Sequence, residues 1–125
     1  MKILSLTPLL RTTDMQATVD FYTTQLGFLC KTYSEEWGWA IVTRNGIDIM
    51  LATPNAHEPF DTAAFTGSFY FRVEDANAWW NELKDRARVC YPLEDFEYSM
   101  REFAVYDNNG YLLQFGQDIA DSTAD

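Results

Sequence analysis

The chain has 125 residues, 47% hydrophobic and 16% aromatic, with 19 acidic residues against 9 basic ones and a formal net charge of −10. That length supports one domain with a core of its own. The acidic field repels nucleic acid, no Lys/Arg cluster offsets it, and no apolar run approaches the roughly 20 residues of a membrane span, so neither is an expected partner. Pro8 and Arg11 interrupt the plan of a signal peptide. Cys30 and Cys90 sit in apolar, strand-like settings, which predicts two reduced core thiols and a cytoplasmic protein.

In chain order, Ile3 to Arg11 alternates and predicts a strand, with Leu4, Leu6, Pro8 and Leu10 opposite Ser5, Thr7, Leu9 and Arg11. Thr13 or Asp14 then caps a helix whose Met15, Val19, Tyr22 and Leu26 form one stripe, and Gly27 stands where a helix end favours a left-handed residue. Phe28 to Tyr33 and Trp37 to Thr43 read as strands, with Trp37 and Trp39 on one face. Asn45-Gly46 is a hairpin turn into a strand at Ile47 to Thr53. Residues 54–66 have no period and read as a linker.

The same order then repeats. Gly67 to Val73 is a strand with Phe69, Phe71 and Val73 opposite Ser68, Tyr70 and Arg72, and Asp75 caps a helix carrying Ala76, Trp79, Trp80, Leu83 and Ala87. Arg88 to Leu93 is a weaker strand that Pro92 assigns to an edge. Met100 to Tyr106 and Tyr111 to Gly116 close the chain as a hairpin around Asp107-Asn108-Asn109-Gly110. Two β-α-β-β-β modules, 1–53 and 67–117, followed by a tail at 118–125, are each too small to bury much alone. They are expected to pack as one α+β domain.

On the closing strand Tyr111, Leu113 and Phe115 share one face and Leu112, Gln114 and Gly116 the other, leaving the Gln114 amide in an otherwise apolar strand. Phe69, Phe71, Trp79, Trp80, Phe103, Tyr111 and Phe115 are assigned to the core. Tyr70 is the leading candidate for a pocket aromatic, Phe60 and Tyr98 lie in loops that can rim a pocket, and Asp48 and Glu102 can supply carboxylates. Trp37 and Trp39 suit a pocket, a core or a dimer interface equally well. No catalytic residue is expected. The one histidine, His57, lies in the linker, and neither cysteine has a base beside it. No glycine-rich phosphate loop is present, and Glu35-Glu36, Glu74-Asp75 and Glu94-Asp95 read as turn and cap chemistry.

Asp14, Phe21-Tyr22, Leu26-Gly27-Phe28, Asn45-Gly46 and the run from Arg101 to Val105 into Asp107–Tyr111 together resemble the vicinal oxygen chelate superfamily. That superfamily includes glyoxalase I, extradiol dioxygenases, fosfomycin-resistance enzymes and bleomycin-resistance proteins. Trp37-Gly38-Trp39 and Leu113 to Gln117 look most like the bleomycin-resistance branch. The resemblance implies paired βαβββ modules around a half-open barrel, and a homodimer. It also puts the metal-ligand positions of the enzymes at Thr7, Met50, Ser68 and Gln114. Two hydroxyls, a thioether and an amide are a poor donor set for a divalent metal, so neither metal nor cofactor is expected.

The resemblance therefore implies a binder that sequesters a polar, cationic or aromatic small molecule, as in antibiotic resistance. Its site is expected at Thr7, Trp37, Trp39, Asp48, Met50, Ser68, Tyr70, Arg72, Glu102 and Gln114. A glyoxalase- or dioxygenase-type lyase or oxygenase, with a non-standard metal site from Glu102, Asp48 or Gln114, is the alternative. An interaction subunit whose cavity is filled by its own side chains is the third class.

Overall fold

A computed structural model of the chain describes residues 1–57, 59–65 and 67–120. The remaining residues of the expected linker and tail, 58, 66 and 121–125, lie outside the described residues. The chain forms two compact units, Met1–Thr62 and Ala63–Asp125. Each contains one four-stranded mixed sheet and one helical segment, an α+β architecture.

The first unit runs β1 (Leu9–Arg11), α1 (Met15–Asp20), a π-helical turn (Phe21–Gln25), β2 (Leu29–Ser34), β3 (Trp39–Arg44) and β4 (Ile47–Ala52), with sheet order β1-β4-β3-β2. Asp14 is the N-cap, its carboxylate accepting the Ala17 N–H at 3.0 Å. Val19, Tyr22 and Leu26 are buried as their stripe predicts, joined by Leu10, Phe28, Ala40, Val42, Ile49 and Leu51. Gly27 has φ +72°, and the Arg44 guanidinium reaches past it to donate to the Leu26 carbonyl at 2.6 Å, so the helix end is closed from the neighbouring strand. Asn45 and Gly46 both have positive φ, as a tight hairpin between right-twisted strands requires.

The second unit repeats this plan as β5 (Phe69–Arg72), α2 (Ala76–Leu83), β6 (Arg88–Phe96), β7 (Met100–Tyr106) and β8 (Leu112–Asp118), with sheet order β5-β8-β7-β6. Asp75 caps α2 by accepting the Ala78 N–H at 3.1 Å. One sheet face packs on the helix through aromatic rings. Phe103 and Phe115 stack at 5.0 Å, Phe71 and Trp79 stack on Phe115 at 5.2 Å, and Trp80 meets Phe103 edge-on at 5.3 Å. Asp107 closes the last hairpin by accepting the Asn109 and Tyr111 N–H groups at 2.8 and 2.9 Å.

Six expectations are corrected. The first strand begins at Leu9, not Ile3, and Thr7 precedes it as an exposed residue. Its parallel partner β4 starts only at Ile47, and the register pairs Leu9 with Met50, so an earlier start soon runs out of partner. Trp37 does not share a strand face with Trp39. It lies in the turn between β2 and β3, 75% exposed, where its N–H donates to Ser34 Oγ and Gly38 turns at φ +66°.

Both cysteines are exposed, because β2 and β6 are edge strands rather than central ones. The α2 helix stops at Leu83, before Ala87. The strand expected to be weak, β6, is the longest at nine residues and includes Glu94-Asp95, which are strand rather than turn residues. Pro92 is tolerated there because an edge strand leaves some N–H groups unpaired.

Candidate functional site

The second sheet buries Phe103, Val105, Leu113 and Phe115 against α2, so strand alternation turns Glu102, Ala104, Gln114 and Gly116 to the opposite face. Register adds Tyr70 and Arg72 from β5, opposite Gln114 and Gly116. Regular alternation would place Tyr91 and Glu94 of β6 on different faces. The pairing with β7 slips between them, where Pro92 sits, and Tyr91 then opposes Ala104 while Glu94 opposes Glu102. The irregularity delivers both side chains to the Glu102 face.

Glu102 is the centre of this face and only 2% exposed. A buried carboxylate costs several kcal/mol unless its lone pairs are bonded. Here three phenols do this. Tyr70 and Tyr98 each donate to Oε1 at 2.9 Å, and Tyr91 donates to Oε2. The Gln114 amide donates to the Tyr91 oxygen at 2.9 Å and accepts the Ser68 hydroxyl proton. The stray amide of the closing strand therefore joins Ser68 to the phenol cluster.

Tyr70 reaches Glu102 only because Gly116 has no side chain, since a Cβ there would lie 2.0 Å from the phenol oxygen. Burial of the hydroxyl, followed by the bond to Glu102, pushes Tyr70 up to about 12. The same two causes, in the same order, raise Tyr91 and Tyr98. All three phenols stay protonated and donating across the physiological range.

An open cavity of about 310 Å³ adjoins the cluster, lined by Tyr91, Glu94, Phe96, Tyr98, Glu102 and Gln114. Phe96 and Tyr98 stack at 5.3 Å and Tyr91 meets Phe96 edge-on at 5.9 Å, so its aromatic wall is continuous. That volume is at the lower end of the roughly 300–1,000 Å³ of small-molecule sites.

The expected site residues divide between the units. Ser68, Tyr70, Glu102 and Gln114 are brought into one hydrogen-bond network, and Arg72 shares their face without lining the cavity. Thr7, Trp37, Trp39, Asp48 and Met50 belong to the first unit. There Asp48 bonds Lys31 at 3.4 Å on the surface and is held below the usual carboxylate range, first by a Thr43 hydrogen bond. Tyr98 lies in a loop at the rim as expected, whereas Tyr91, Glu94 and Phe96 were not foreseen as site residues. Only Pro92, inside an apolar-aromatic run, signals the slip that brings Tyr91 and Glu94 together.

This donor set does not fit a divalent transition metal. Both Glu102 oxygens are committed to phenols, Gln114 is committed at both ends, and among the described residues no three His, Cys, Asp or Glu side chains group as ligands. Among the described residues, also, no helix is long and apolar enough to cross a membrane.

A search of curated protein sequences returned no match. Among solved structures, the chain is similar to the bleomycin resistance determinant encoded on transposon Tn5, with 22% identity and a TM-score of 0.72 over 93% of this chain and 98% of that one. It is similar to TioX from Micromonospora sp. ML1, at 21% identity and TM-score 0.71 over 90% and 97% of the two chains. Lactoylglutathione lyase from Agrobacterium tumefaciens gives 14% identity and TM-score 0.68 over 91% and 92%. At these identities the likeness is one of fold. The family model for the Glyoxalase/Bleomycin resistance protein/Dioxygenase superfamily matches residues 2–115, and the chain belongs to that superfamily.

Proposed function

We propose that this protein binds a polar, cationic or aromatic small molecule and sequesters it without metal and without chemical conversion. The observation that carries the reading is the cavity on the second sheet, where a continuous aromatic wall faces two carboxylates, Glu94 and Glu102. Aromatic faces supply contact area and cation–π attraction, and carboxylates supply orientation. Both Glu102 oxygens accept from phenols and the Gln114 oxygen accepts from Ser68, which supports a site without a metal. The fold is shared with a bleomycin resistance determinant and with a lyase alike, so sequestration over turnover rests on the donor set of the cavity. A cytoplasmic homodimer belongs to the same reading.

A thermal-shift screen of small aromatics, cationic glycopeptides and divalent metals tests it. A ligand should raise the melting temperature equally with and without chelator, and mass spectrometry should recover that ligand unaltered. Stabilisation that vanishes on chelation, or conversion of the ligand, would replace this reading with a metalloenzyme.

A further inference from the structure

The direction of every hydrogen bond around Glu102 decides what the cavity can recognise. The three phenol protons point at the carboxylate and the Tyr91 oxygen also accepts from Gln114, so the phenol oxygen that remains to accept at the cavity is that of Tyr98. Glu94 adds a second carboxylate, exposed at the rim. Glu102 accepts three bonds where a carboxylate offers about four sites. The lining holds no lysine, arginine or histidine. Its one side-chain N–H source is the Gln114 amide, one of whose two protons goes to Tyr91. The cavity is rich in acceptors and poor in donors.

An anion or a carbonyl finds almost nothing there to bond. A quaternary ammonium finds aromatic faces but brings no proton to the acceptors, which gain no hydrogen bond from it. A cation that carries several N–H groups satisfies both the lone pairs and the rings. Planar amidinium and guanidinium groups also stack flat on an aromatic wall such as the Phe96–Tyr98 pair.

Resting on the binding function proposed above, we infer that this cavity selects N–H-bearing organic cations, protonated amines, amidines or guanidines, over quaternary ammonium ions of the same size. Tyr98 and Glu94 are the specificity-determining residues at the rim, and Glu102 serves as the anchor that fixes the phenol protons inward.

Calorimetric titration of the full chain with benzamidine, benzylamine, benzyltrimethylammonium and benzoate provides the test. Benzamidine and benzylamine should bind at least about tenfold tighter than the quaternary analogue, the worth of one or two charge-assisted hydrogen bonds. Benzoate should not bind. Tyr98→Phe keeps the ring and removes one oxygen, and Glu94→Gln removes a rim charge. Both side chains are exposed, so both variants should fold, and each should weaken benzamidine several-fold while Tyr98→Phe leaves the quaternary ion unchanged.

Equal or tighter binding of benzyltrimethylammonium would overturn the donor requirement while leaving a small-molecule binder in place. If none of the four probes bound but the wider screen gave metal-free ligands, this inference alone would fail. No ligand in either experiment would remove the binding function as well.

Discussion

The two units share a wiring diagram and differ in what their helix-free sheet faces carry. In each, a short first strand pairs in parallel with the fourth, an arginine ends that strand, and an aspartate three residues later caps the helix. Register makes the correspondence residue by residue. Leu9 opposite Met50 matches Tyr70 opposite Gln114, and Arg11 opposite Ala52 matches Arg72 opposite Gly116. Trp39 opposite Ala52 matches Glu102 opposite Gly116. Where the second unit has a buried carboxylate, a phenol reaching it and a glycine making room, the first has a tryptophan, a leucine and an alanine.

The difference teaches that topology supplies positions and leaves chemistry open. The backbone plan needs caps, turns and one apolar face, and both units provide these. The other face is unconstrained by the helix packing, so it can become a polar network in one copy and not in the other.

Replacing the carboxylate should break this asymmetry most strongly. Glu102→Leu leaves three phenol hydroxyls without their acceptor and should lower stability by about 2–4 kcal/mol in denaturant unfolding. A loss below about 1 kcal/mol would mean the network adds little to the fold.

Gly116→Ala installs in the second unit the residue the first unit already has at Ala52. The new methyl would collide with the Tyr70 phenol, whose oxygen lies 2.0 Å and nearest ring carbon 2.6 Å away, and should cost about 1–3 kcal/mol while displacing Tyr70. A crystal structure of the variant with the Tyr70–Glu102 bond intact would contradict the account of this glycine.

Alkaline titration sharpens the comparison further. Tyr70 is raised to about 12 in the folded state, above its ordinary value near 10. The unfolded chain therefore releases this proton first. The contribution of the cluster is complete below about pH 10 and is lost as pH rises toward 12. Phenolate absorbance should show a late-titrating tyrosine class that moves to lower pH in Glu102→Gln.

The smallest effect belongs to the first unit. Asp48→Asn removes an exposed ion pair with Lys31 and should leave the melting temperature unchanged within error at physiological salt. A clear destabilisation would show that the first face holds a network of its own.

Much of the fold was legible in the sequence because its signals are local. Asp14 and Asp75 announce caps, Asn45-Gly46 and Asp107–Gly110 announce turns, and alternation in Phe69–Arg72 and Leu112–Gly116 assigns the faces correctly, although Tyr111 itself precedes the strand. The site was legible in part. Alternation alone puts Tyr70, Glu102 and Gln114 on one face, but says nothing of a hydrogen bond between residues 32 positions apart. Trp37 was misread because two tryptophans flanking a glycine look like strand alternation, while Gly38 in fact turns the chain.

Periodicity, caps and turn residues thus determined the two modules and their faces, since each depends on neighbours within a few positions. Only the tertiary structure decided which edge each strand lies on, where β6 slips, and that three phenols converge on one carboxylate. Those outcomes depend on strand register and on space, such as the room beside Gly116, and both are properties of chain segments far apart in sequence meeting at a fixed distance.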